Sequence, residues 1–200
     1  MMALLGNSGL PMSSAHKRPI KLTWCCVAFA PYTTQLTGDV RFLKMKNDKH
    51  IVYLVGVNHR IQYTNSSCGP EWRDDIQALE DYLVSKANEL KIELLAEEFN
   101  QALVERNHAI GCTVRDAARR CGRKHLFCEP TMLERDSLGI DTPDKRENIW
   151  LERLKDSKVF SILLVCGDDH LKSVSEKLNA QGVETSILSE GWGKDWMHKQ

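Results

Sequence analysis

Two stretches of this chain run through continuous apolar residues and stop at the same four-residue frame, which restricts the possible folds severely. Residues 51–55 (IVYLV) lead into Gly56-Val57-Asn58-His59, and residues 160–166 (FSILLVC) lead into Gly167-Asp168-Asp169-His170. Short runs rich in Val, Ile and Leu and closed by Gly are the pattern of strands in a parallel sheet covered on both faces. Two such strands deliver two Gly-x-x-His loops to one edge of a sheet. Ligands of open α/β sheets bind at the carboxyl edge, so a duplicated imidazole there marks a candidate site.

The segments between and around these strands are consistent with that fold. After the turn-rich residues 64–70 the spacing predicts a helix with Trp72, Ile76, Leu79, Leu83 and Leu90 on one stripe. A short strand over 92–96 ends in Glu97-Glu98, helical segments follow over 101–108 and 113–121, and Gly122 supplies a stop. A third strand, 125–128, ends in Glu129-Pro130, a dipeptide that disfavours helix at Glu129. Thr142 with Pro143 opens a helix through Leu154, a helix over 171–178 follows the 160–166 strand, and Gly182 leads to a fifth strand over 183–188. Residues 64–70 and 131–141 read as loops. The expected fold is α/β: a mainly parallel five-stranded sheet with helices on both faces, joined by right-handed crossovers.

Residues 49–200 are expected to form that single domain, and residues 1–48 a leader with little periodicity. Met45 stands just before the first strand, so either the functional chain starts there or the leader is a loosely packed extension. Residues 22–30 (LTWCCVAFA) imitate a secretory signal but are short, contain two cysteines and meet Pro31. Lys plus Arg equals Asp plus Glu at 27 each, which gives no electrostatic reason to expect nucleic acid or an anionic membrane as a partner. No apolar stretch reaches the roughly 20 residues of a bilayer span. The 7 cysteines include no C-x-x-C pair and several lie inside apolar runs, as expected of reduced thiols in a cytoplasmic protein.

Because parallel strands point one way, their terminal residues gather at one edge. His59 with Asn58, Glu97 with Glu98, Glu129, and Asp168, Asp169 with His170 therefore form a polar, largely acidic cluster above an apolar sheet. Adjacent strand residues face opposite sides, so only one of Glu97 and Glu98 can point into it. Imidazole and carboxylate together suit manganese, cobalt or zinc, which would acidify a bound water while a spare glutamate moves the proton. Carboxylates this close also call for a cation. Arg146, four residues before Trp150, lies on the inward face of its helix near the same edge. There it either clamps an anionic group of a substrate or pins one of the glutamates.

These residues, in this order, resemble the TraB/PrgY/Tiki superfamily, which is similar in turn to erythromycin-esterase-like proteins. The likeness rests on Gly56-x-x-His59 after a strand, the pair Glu97-Glu98 ending the next, Arg146-Glu147-Asn148 with Trp150, and residues 165–171 (VCGDDHL), and spans about 50–190. It implies a compact α/β fold and, for some members, a divalent-metal-dependent peptidase activity. His59 and His170 would be the metal or catalytic histidines, Glu97 or Glu98 the acid/base or ligand, and Arg146 the anion-holding residue. Asp168 and Asp169 depart from the family, where small residues are common, and add negative charge. The expected activity is a metal-assisted hydrolase acting on a peptide or small-molecule ester; the alternative is a non-catalytic binding module on the same fold.

Overall fold

A computed structural model of the chain describes residues 50–65 and 70–193. The leader of residues 1–48, Cys68 and Trp196 lie outside the described residues. In chain order the elements are β1 (Ile51–Val57), β2 (Tyr63–Thr64), α1 (Pro70–Glu89), β3 (Leu94–Glu97), α2 (Gln101–Arg106), β4 (Gly111–Cys112), α3 (Thr113–Arg120), β5 (Lys124–Phe127), α4 (Met132–Leu138), α5 (Pro143–Asp156), β6 (Ser161–Gly167), α6 (Leu171–Ala180) and β7 (Glu184–Trp192). Five strands pair in the order β5-β3-β6-β1-β7, all parallel, so the α/β architecture read from the pattern is the one observed.

Side-chain alternation along each strand explains why both faces are covered. Val52, Leu54, Leu94, Ala96, Ile162, Leu164 and Cys166 point to the face packed by α5 and α6 through Trp150, Leu151, Leu154, Val174 and Leu178. Val55, Val57, Leu95, Leu163 and Val165 point to the other, under Ile76, Leu79, Leu83 and Ala87 of α1 and Val114, Ala117 and Ala118 of α3. A strand buried on both sides cannot alternate apolar with polar, and so it reads as a continuous run.

The motif strands are neighbours. β1 and β6 run in register with Gly56 opposite Cys166 and Val57 opposite Gly167, and β3 lies on the other side of β6. Each Gly-x-x-His frame ends its strand in a single 3-10 turn, His59–Ile61 and Asp168–His170. The chain visits β3 and β5 on one flank of this pair before returning to β6 and crossing to β7. The motifs therefore stand where strand order reverses, the usual place for a crevice.

Three features differ from the sequence reading. Residues 131–141 are not simply a loop: Thr131 closes a capping box with Glu134, and Gly139 in the left-handed region (φ 62) ends the short helix α4. The two-residue strands β2 and β4 form a small antiparallel ribbon, too short for alternation to register. The last strand runs on to Trp192, where its pairing with β1 shifts register around Val55 to Val57. Among the described residues, no helix is long and apolar enough to cross a membrane.

Candidate active site at the carboxyl edge

Glu98 is the hub. It continues the alternation of Leu94 and Ala96, so it emerges on the α5 face, only 2 % exposed at its side chain. One oxygen, Oε1, accepts from Arg146 Nη2 at 2.6 Å and lies 3.5 Å from His170 Nε2. The other, Oε2, accepts from the Gly167 amide at 2.8 Å and lies 3.7 Å from His59 Nε2. The two motif histidines thus approach one carboxylate from two sides. Glu97, its neighbour, takes the opposite face for the same alternation reason. It is fully buried, bonded to His125 Nε2 at 2.7 Å, and burial raises its pKa against the pull of that imidazole. The structure therefore separates Glu97 from the cluster and brings Glu98 into it.

Each histidine is oriented through its other nitrogen. His170 Nδ1 is 2.6 Å from Glu147 Oε1, and His59 Nδ1 is 2.8 Å from Gln62 Oε1. An acceptor at Nδ1 takes the proton there and leaves the Nε2 lone pair facing the site. Glu147 is itself fixed by Ser173 Oγ at 2.7 Å and Lys177 Nζ at 2.8 Å. Burial raises its pKa, but the bonds from Lys177, His170 and Ser173 outweigh that and hold the carboxyl below its ordinary value. Trp150 packs edge-on against the His170 ring, with centroids 5.0 Å apart. His170 is accordingly enclosed at 13 % exposure, while His59 is open at 55 %.

The two motif glycines have reciprocal roles. A Cβ on Gly167 would stand 2.8 Å from His59 Nε2, and one on Gly56 would stand 2.2 Å from Asp168 Oδ1 and 2.6 Å from Leu171 Cδ1. Each frame needs glycine because the other frame's loop lies against it, which is the physical content of the repeat.

Arg146 pins glutamates. Its Nε and Nη2 bond Glu129 at 3.0 and 2.9 Å while Nη2 also reaches Glu98, and these pairs raise its pKa against the lowering effect of burial. Glu129 is 1 % exposed and further accepts from Arg135 and, at 2.9 Å, from the Trp150 indole N–H. The three buried carboxylates Glu98, Glu129 and Glu147 are thereby met by Arg146, Arg135 and Lys177, so the cation expected to offset them is supplied by side chains. Asn58 and Asp168 hold neighbouring backbone. Asn58 caps its 3-10 turn through the Arg60 amide, Asp168 Oδ1 accepts from the Gly191 amide at 2.8 Å and so ties down the end of β7, and Asp169 is exposed.

Sequence reasoning missed Gln62 and Glu147 as orienting partners. The available signals were local: Gln62 follows His59 by one helical step of three, and Glu147 adjoins Arg146 on the helix start. Among the described residues, no group of three or more His, Cys, Asp or Glu side chains is arranged to hold a metal ion. What the donor chemistry offers a divalent ion is two imidazole Nε2 atoms with their Nδ1 atoms already engaged, the usual orientation of metal-binding histidines. Buried Cys112, Cys128 and Cys166 are free thiols whose pKa burial pushes up, that of Cys112 to about 12, which leaves them poor nucleophiles. Comparison with known proteins finds no family model, curated protein or solved structure that matches the chain.

Proposed function

We propose that this chain is a hydrolase of esters or amides, related to the TraB/PrgY/Tiki superfamily, with His59, His170 and Glu98 as its working groups. The observation that carries the reading is the convergence of both Gly-x-x-His imidazoles, each through Nε2, on one buried carboxylate. His170 is the base. With its Nδ1–H donating to ionised Glu147, its Nε2 accepts a proton from water, and the imidazolium that forms is stabilised by that carboxylate. The hydroxide adds to the substrate carbonyl, and the proton passes to the departing oxygen or nitrogen. His59, on the open side, is placed to meet the substrate. Arg146 is a positioning residue that holds Glu98 and Glu129 rather than the substrate. In the alternative, metal-assisted form His59 and His170 would hold a manganese, cobalt or zinc ion, which would lower the pKa of a water, and His170 would then be a ligand and not the base.

The test combines elemental analysis with hydrolysis assays on wild type, His59→Ala, His170→Ala and the double variant, after loading with each metal. Ester or peptide hydrolysis in the wild type is expected to fall at least 10²-fold in His170→Ala, on the usual size of a general-base contribution, and to fall in His59→Ala through weaker substrate binding. Stoichiometric metal lost from the double variant supports the metal-assisted form. Hydrolysis indifferent to both substitutions refutes the assignment, and no turnover at all leaves the non-catalytic binding module.

A further inference from the structure

The two motif histidines have unlike partners at Nδ1. His170 Nδ1 meets Glu147 Oε1 at 2.6 Å, and an ionised carboxylate can only accept, so the proton of that ring is fixed on Nδ1. His59 Nδ1 meets the Gln62 amide at 2.8 Å. An amide carries an acceptor and a donor that a half-turn about its last bond exchanges, so Gln62 can serve either tautomer of His59 from one position. The Gln62 carbonyl is held by the Thr113 amide at 2.9 Å, and the side chain is fully buried. With Oε1 on His59, Gln62 Nε2 is left buried without a hydrogen-bond partner among the described residues. Among those residues, therefore, nothing but the imidazole decides which end of the amide faces Nδ1.

The imidazole is in turn decided from its other nitrogen. His59 Nε2 stands 3.7 Å from Glu98 Oε2. A ring N–H turned to a carboxylate is attracted and a lone pair turned to it is repelled, and Glu98 is too deeply buried for water to screen either effect fully. At His170 the same carboxylate lies 3.5 Å away, but Glu147 is closer and charged, and Arg146 holds Glu98 Oε1 at 2.6 Å. At His59 it competes only with a neutral amide that can turn.

We infer that Gln62 is a positioning residue that turns its N–H to His59 Nδ1, so that His59 carries its proton on Nε2 and supplies the site with a hydrogen-bond donor beside the His170 base. The two Gly-x-x-His loops, alike in sequence, then do opposite work. His170 Nε2 takes a proton from water, and the resulting hydroxide adds to the carbonyl carbon. His59 Nε2–H donates to the carbonyl oxygen, and that bond strengthens as the oxygen becomes an alkoxide. Its proton stays on His59 throughout, while the proton held by His170 leaves with the departing alcohol or amine as the carbonyl reforms. At 55 % exposure the His59 ring is open to a substrate, whose carbonyl oxygen takes the place of Glu98 as acceptor. The role toward substrate rests on the metal-free hydrolase reading; the tautomer does not.

The experiment is nitrogen-detected spectroscopy of the full chain, labelled in its histidine rings and kept under chelator at pH 9, above the ordinary imidazole value of roughly 6.5. It tells a protonated ring nitrogen from an unprotonated one, and His59→Ala and His170→Ala assign the two signals. Wild type is expected to carry its protons on His59 Nε2 and His170 Nδ1. A lone pair on His59 Nε2 overturns the inference, and that result needs no Gln62 variant to fold. Gln62→Glu and Gln62→Met then separate positioning from packing. Were Gln62 an acceptor, glutamate would replace it and methionine would not. The inference expects the reverse. Gln62→Glu should draw the proton to Nδ1 and lower kcat about 10²-fold with little change in KM, the size of a lost donor to the alkoxide. Gln62→Met should keep the proton on Nε2 and stay within about tenfold of wild type, since only the neutral partner is gone. Full kcat in Gln62→Glu overturns the inference. His59 protonated on Nε2 in a chain that turns over no ester or amide would sink the hydrolase reading alone.

Discussion

Replacing Gly167 with alanine tests the reciprocal packing of the two motifs. Its backbone, φ −59 and ψ 142, suits any residue, so alanine adds no backbone strain. The new Cβ would stand 2.8 Å from His59 Nε2 and 3.1 Å from Cε1, and ordinary contact begins near 3.4 Å, so the imidazole must withdraw about 0.6 Å. His59 is more than half exposed and can move outward without disturbing the core. Alanine also restricts the unfolded chain, worth roughly 0.4–1 kcal/mol, so net stability should change by less than about 1 kcal/mol. Hydrolysis should fall on the order of tenfold to a hundredfold, since a misplacement of about 1 Å costs about 10². Gly56→Ala is the contrast. Its Cβ would meet Asp168 Oδ1 at 2.2 Å and buried Leu171 at 2.6 Å, so overpacking should cost about 1–3 kcal/mol. Thermal unfolding of both variants, with nitrogen-detected spectra of the His59 ring, separates the two. Equal loss of stability in both, or an unmoved His59 ring with full activity in Gly167→Ala, would refute the reasoning.

Adjacent glutamates should respond in opposite ways. Glu97→Gln removes a buried charge with a raised pKa while keeping an acceptor for His125, so urea unfolding at pH 8 should show unchanged or increased stability; Glu98→Gln should abolish hydrolysis. Arg146→Ala strips Glu98 of its cation and leaves Glu129 with Arg135 alone, an expected loss of about 3 kcal/mol in the same assay. Glu147 has a folded pKa below its unfolded value of roughly 4.3, so its contribution is complete above that pH and is lost as pH falls through the folded pKa. A stability profile between pH 7 and 3 should therefore decline more gently for Glu147→Gln, and parallel profiles would exclude that role.

Local composition was enough to reveal the sheet and its polar edge. Strands buried on both faces must be apolar throughout, and glycine must stand where two loops nearly touch, so both features are written into short contiguous segments such as 51–57 and 161–167. Alternation likewise fixed that Glu97 and Glu98 diverge. Which of them meets the histidines was decided by packing, because the parity of Leu94 and Ala96 has meaning only once α5 is known to cover that face. Tertiary structure alone also brought Glu147 under His170 and Arg146 between Glu98 and Glu129, pairs 17 to 48 residues apart in the chain. Such pairings depend on strand order, and strand order follows from how whole helices share the two faces of the sheet, information that no local pattern contains.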